Sequence, residues 1–202
     1  QGLDEMDKIA KETLDDTFRT ALSGDSKEYR ESSSSLMFAF ILAILLIYLI
    51  LAAQFESFKD PFIIMLTVPL AIAGALVFMY FGDITMNIFS QIGIIMLIGL
   101  VAKNGILIVE FANLKQESGE DKMAAIRNAA LQRLRPILMT SVSTILGLIP
   151  LAFATGEGAN QRIAMGTAVV GGMLVSTLLT MYIVPAIYTY ISTNRKVKTE
   201  TV

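Results

Sequence analysis

Five apolar stretches, residues 36–53, 62–81, 92–112, 137–155 and 163–185, limit what this chain can become. Each is 18 to 23 residues long, and about 20 apolar residues cross a hydrocarbon core of ~30 Å as a helix. The chain has 16 Lys and Arg and 18 Asp and Glu, yet only Lys103 and Glu110 fall inside these stretches. A soluble globule is excluded. The pattern predicts an all-α membrane protein, a bundle of five transmembrane helices.

Counting removes several kinds of chemistry. There is no Cys and no His, so disulfides, thiolate and imidazole metal sites and Ser–His hydrolysis are excluded. The net charge of −2 argues against a nucleic-acid partner. The loop ATGEGANQ, residues 154–161, is Gly-rich but lacks the phosphate-cradling GxxxxGK[ST] pattern. No cofactor and no metal are therefore predicted. The chain opens on Gln1 and a polar segment, so the stretch at 36–53 does not read as a cleavable signal peptide. The missing initiator Met suggests a piece of something longer.

Between the spans the pattern is amphipathic. Leu3, Met6, Ala10, Leu14, Phe18 and Leu22 recur every three to four residues, predicting a helix over 3–22 whose apolar face needs a partner. Residues 23–35 read as a polar linker, and Phe55 and Phe58 as interface aromatics after span one. Residues 113–135 predict a separate amphipathic helix, with Met123, Ile126, Ala130 and Leu134 on one face. The fourth span then starts at Pro136, a favoured first helical position. The domains are thus 1–35, a membrane bundle over 36–192, and a basic tail over 193–202.

Orientation follows from the cations. Lys59, five residues between spans three and four (Lys115, Lys122, Arg127, Arg133, Arg135) and Arg195, Lys196 and Lys198 share one side, against Arg162 on the other. The positive-inside rule makes the former side cytoplasmic and the N-terminal segment external. Five spans cannot be divided into the matching halves common in transporters.

Lys103 is the sharpest chemical feature. It lies in the middle of span three, where a charge costs a few kcal/mol on insertion scales and normally faces the protein interior beside a partner. Snorkelling would suit a lysine nearer the membrane surface better. Glu110, two turns along the same helix, is about 10 Å away in rise, too far for an ion pair. Lys103 therefore calls for an acid that this chain does not supply. Arg133 and Thr140, seven apart, share a helix face, continued by Ser143, Thr144 and Gly147. Ala168, Gly172, Ser176 and Thr180, at four-residue spacing, form a small-residue stripe suited to close helix packing.

The run GLVAKNGILIVEFA, residues 99–112, resembles the tenth membrane helix of resistance–nodulation–division (RND) multidrug efflux transporters, in the hydrophobe/amphiphile efflux branch typified by the acriflavine-resistance pump (AcrB-like). Residues 51–76, RLRPILMTS (133–141) and 169–188 agree with that family in order and spacing. The match covers about residues 30–192, as membrane helices eight to twelve; residues 1–35 resemble the end of a periplasmic porter subdomain. The resemblance implies a trimeric antiporter of the bacterial inner membrane that exchanges protons for drugs, working with a periplasmic adaptor and an outer-membrane channel. It further implies that Lys103, with Asn104, Arg133 and Thr140, forms one side of a proton relay. The other side is an aspartate pair on helix four, in an N-terminal half absent from this chain, which alone would be a fragment unable to transport. Two other classes stand beside this reading: a non-transporting membrane scaffold or assembly subunit, and an intramembrane enzyme, for which only a Ser–Lys pair would remain. A mid-helix Asp pair in an adjoining segment would favour the pump.

Overall fold

The computed structural model describes residues 2–15 and 20–193, without side-chain detail for 2–4 and 25–34. Seven helices follow in order: α1 (Gly2–Thr13), α2 (Asp25–Phe55), α3 (Lys59–Met65), α4 (Thr67–Phe81), α5 (Ile88–Glu117), α6 (Lys122–Ala152) and α7 (Ala159–Ile191). Among the described residues five helical segments are long and apolar enough to cross a membrane, with α3 and α4 together making one. The all-α bundle of five spans predicted from the apolar stretches is the fold observed.

Local chemistry explains the interruptions. Pro69 has no N–H to offer the carbonyl four residues back, at Met65, and the second span breaks at Leu66. There Thr67 Oγ1 donates to the Ile64 carbonyl at 2.7 Å. The span after it opens on a capping box: Ser90 N–H donates to Asn87 Oδ1 at 2.8 Å, and Asn87 N–H to Ser90 Oγ at 2.9 Å. Asp121 caps α6 by accepting from Met123 N–H at 3.2 Å.

Helix α7 is the centre of the bundle and packs on α4, α5 and α6. Its small stripe, Ala168, Gly172, Ser176 and Thr180, is buried along its length. A Cβ on Gly172 would lie 2.2 Å from Leu97 Cδ2 and 2.9 Å from the Ala71 carbonyl oxygen, so only glycine permits α4 and α5 this close. Two apolar clusters fill the interior. One gathers Leu51, Phe55, Ile63, Ile64, Val109, Ile126 and Tyr188, and the other Ala75, Leu97, Val101, Val169 and Met173. Span one stands at the edge, with 6% of its window buried against 56% for α5.

Several boundaries differ from expectation, each for a local reason. The segment 113–135 is no separate helix: α5 runs on to Glu117, a turn containing Gly119 at φ 97° reverses the chain, and α6 is continuous from Lys122. Pro136 therefore sits inside α6 rather than at its start. A proline so placed leaves one carbonyl without its partner, which a helix tolerates when its neighbours hold it on both sides. Within 122–135 the buried residues are Ala125, Ile126 and Ala129, whereas Met123 and Leu134 are exposed. The predicted polar linker over 23–35 is helical from Asp25, propagated from the span that follows it. Phe55 is buried in the core and Phe58 exposed. The N-terminal helix ends at Thr13, with Met6, Ile9 and Leu14 exposed; Phe18 and the tail cations Arg195, Lys196 and Lys198 lie outside the described residues.

Candidate functional site

Lys103 stands at the midpoint of α5, 15 residues from Ile88 and 14 from Glu117, or about 21–23 Å from each end at 1.5 Å per residue. Its side chain is exposed. It belongs to a stripe of exposed residues, Ile92, Met96, Gly99, Lys103, Glu110 and Leu114, at spacings that keep one helix face. Among the described residues it has no hydrogen bond and no ion pair. The ammonium is thus a charge at the middle of a span, facing outward and unmatched among the described residues.

The neighbouring helix contributes a matching open side. Asn104 Nδ2 donates to Ser141 Oγ at 3.3 Å, and the Arg133 guanidinium lies 4.5 Å from the centre of the Phe111 ring, so α5 and α6 run antiparallel with 104 level with 141 and 111 with 133. In an antiparallel pair, the residues preceding two facing positions turn to the same side of the contact. Lys103 and Thr140 therefore flank one side of the α5–α6 seam. Exposed Pro136, Ser143, Gly147 and Pro150 extend that side along α6.

Among the described residues no hydrogen bond or ion pair joins the four predicted relay residues to one another. Thr140 Oγ1 donates to its own helix at the Ile137 carbonyl, 3.1 Å, and Thr144 Oγ1 to the Thr140 carbonyl, 2.8 Å. Arg133, half-buried over Phe111, lies about 12 Å of helix rise from the level of Lys103, and its Nε is buried with no hydrogen-bond partner. Asn104 is buried and faces inward. Lys103 and Thr140 thus share a side, Arg133 sits two turns toward the basic end, and Asn104 faces into the seam at Ser141.

Sequence reasoning missed a second polar group, at the end of the bundle that carries the turns 56–58 and 118–121. Asp60, Asn113, Gln116, Tyr188 and Ser192 are all buried there. Gln116 Nε2 donates to Tyr188 Oη at 2.8 Å, Tyr188 Oη to Asn113 Oδ1 at 2.5 Å, and Asn113 Nδ2 to Asp60 Oδ2 at 3.1 Å. Ser192 Oγ donates to the other carboxylate oxygen at 3.4 Å. Lys122 Nζ closes the end of α7 by donating to the carbonyls of Thr189 and Ser192 at 2.8 and 2.6 Å. Outside, Lys115 and Asn128 hold Glu120 at 2.9 Å each, and the Lys115 hydrogen bond above all keeps that carboxyl below its usual range. The missed signal was the continuation of the buried α5 stripe through Val109, Asn113 and Gln116, where polar residues stand at core positions.

Comparison with known proteins adds to this geometry. A family model described as the AcrB/AcrD/AcrF family matches residues 1–192. An uncharacterized transporter of Haemophilus influenzae is 40% identical over 198 residues, covering 95% of this chain and 19% of that protein. The toluene efflux pump membrane transporter TtgB of Pseudomonas putida is 39% identical over 192 residues, covering 95% and 18%. The multidrug resistance protein MdtF of Escherichia coli is 41% identical over 167 residues, covering 82% and 16%. The chain spans less than a fifth of the length of these curated relatives.

Proposed function

The chain belongs to the AcrB/AcrD/AcrF family, and from that premise we propose that it is the second-half membrane bundle of a proton-driven drug exporter. Lys103 is the cationic member of the proton relay in this reading. The single observation that carries it is the mid-depth ammonium, exposed on an open side of the bundle and unmatched among the described residues. A charge in that position is tolerable only where a partner or water meets it. The occupant of the open side is a helix of the first-half bundle bearing a pair of aspartates.

The cycle follows from charge. Deprotonated carboxylates hold the ammonium by attraction that a low-dielectric surrounding strengthens. Protonation from the outside removes their charge, the pair separates, and the α5–α6 side is free to shift against the partner helix. Proton release to the other side restores the pair. Thr140, beside Lys103, offers a hydroxyl to the relay, and Arg133 over Phe111 is a cation two turns from Lys103 toward the cytoplasmic end. Asn104 takes part only through its neighbour. The bundle sits in the inner membrane of a bacterium, N-terminus outside and basic end in the cytoplasm, in a homotrimer that hands drugs to an adaptor and an outer-membrane channel. The names of the relatives point to solvents and multiple drugs as cargo.

Lys103→Met tests the assignment. In the assembled transporter reconstituted in vesicles, the variant inserts normally and loses proton-coupled export. Export equal to that of the parent would remove Lys103 from the mechanism.

A further inference from the structure

At the depth of Lys103, three helices are joined by one hydroxyl. Ser141 Oγ on α6 accepts from Asn104 Nδ2 on α5 at 3.3 Å and from Thr177 Oγ1 on α7 at 3.2 Å. Their residues are 4%, 2% and 4% exposed for Asn104, Ser141 and Thr177. The α5 residues around this point, Val101, Ala102, Gly105 and Ile108, are buried and apolar, and such contacts are non-directional. Hydrogen bonds have an angular preference that dispersion lacks. The Asn104–Ser141–Thr177 junction therefore gives α5 a directional tie to α6 and α7 at this level.

We propose that Ser141 and Thr177 are positioning residues for Lys103. Successive residues of an α-helix are about 100° apart. With Asn104 tied inward to Ser141, Lys103 is turned by that angle onto the open side it shares with Thr140. Thr177 ties the same oxygen to α7, so the ammonium keeps its direction while α5, α6 and α7 move as one body. The value of this arrangement rests on Lys103 being the relay cation; the geometry of the junction does not.

The test separates the two. The chain contains no cysteine, so Lys103→Cys accepts a nitroxide label at a single site within it, and a second preparation carries the label at Leu45, exposed on α2. In the assembled transporter in vesicles, Ser141→Ala with Thr177→Val is expected to raise the mobility of the label at 103 and leave that at 45 unchanged. Ser141→Thr, which restores the hydroxyl, is expected to return the parent spectrum at 103. Ser141→Ala alone gives the same reading should the double variant fail to insert. An unchanged label at 103 in both would overturn the proposal. With Lys103 intact, Ser141→Ala should lower export turnover severalfold at an unchanged KM for drug, and Ser141→Thr should recover it. A label that moves while turnover holds would leave the junction standing and count against Lys103 as the relay cation.

Discussion

Ten residues of α5 separate Lys103 from Asn113, and the two side chains live in opposite surroundings. Asn113 is buried and bonded on both sides, to Asp60 through its nitrogen and to Tyr188 through its oxygen. Four helix ends that meet there each bring a partner: α3 the carboxylate, α5 two amides, α6 an ammonium and α7 a phenol and a hydroxyl. Lys103 has none of this among the described residues, though it sits deeper in the membrane. Buried polar groups that are fully bonded hold a fold together; one left unmatched raises its energy. The polar groups of the basic end are therefore bonded within the chain, whereas the Lys103 ammonium is unmatched among the described residues. The proposed cycle, which breaks and remakes one ion pair, would use that division: a rigid end, and a charge free to meet a partner on a different moving part.

The comparison can be broken first at its open end. Lys103→Met should abolish proton-coupled export in the assembled transporter. It should change the thermal stability of this bundle on its own, where Lys103 is exposed and unmatched among the described residues, by no more than the ~0.5 kcal/mol usual for substitutions outside the core. A large fall in stability would mean that Lys103 belongs to the closed kind of site.

The closed end should show the reverse. Tyr188→Phe leaves Asn113 Oδ1 and Gln116 Nε2 without their shared partner, and unsatisfied buried groups cost about 1–3 kcal/mol each. Thermal unfolding in detergent should fall accordingly, while the pH at which export is half-maximal stays where it was. Thr140→Ala comes next, with a partial loss of export, since its hydroxyl already bonds its own helix at Ile137 and lends the relay only a second interaction. Unchanged export would reduce Thr140 to a packing residue.

The smallest effect belongs to Glu120, outside the spans. Its carboxyl titrates below the usual value of 4.5 because Lys115 and Asn128 bond the charged form. A group with a lowered folded pKa stabilises the fold fully above its unfolded pKa and loses that contribution as pH falls through the folded one. Glu120→Gln should thus leave stability near neutral pH almost unchanged and remove a small decline that the parent shows below pH 4.5. An equal decline in both would show that the Lys115–Glu120 bridge is not its source.

Much of this division was legible in the sequence. The spans are visible because hydrocarbon tolerates so few charges, and Lys103 is conspicuous for the same reason. The small stripe through Gly172 is visible because close packing demands small residues at fixed spacing. The closed cluster was not legible. Asp60 stands before a proline at a helix start and reads as an ordinary turn residue; only the meeting of the α3, α5 and α7 ends buries it. Pro136 misled for a related reason: local preference puts proline at a helix start, whereas the α6 backbone continues through it, held by α5 and α7. Asn104 shows the limit most clearly. The resemblance groups it with Lys103, and its place in the chain does not say which way it faces; a helix sends neighbours in different directions, and this one faces Ser141.

The central claim is that the Lys103 ammonium is half of an ion pair completed from outside this chain. A structure of the assembled transporter in a lipid bilayer tests it most directly. The account predicts a carboxylate oxygen from another membrane helix within about 4 Å of Lys103 Nζ, the range of a direct ion pair. An ammonium surrounded by lipid, or by this chain's own residues alone, would contradict it.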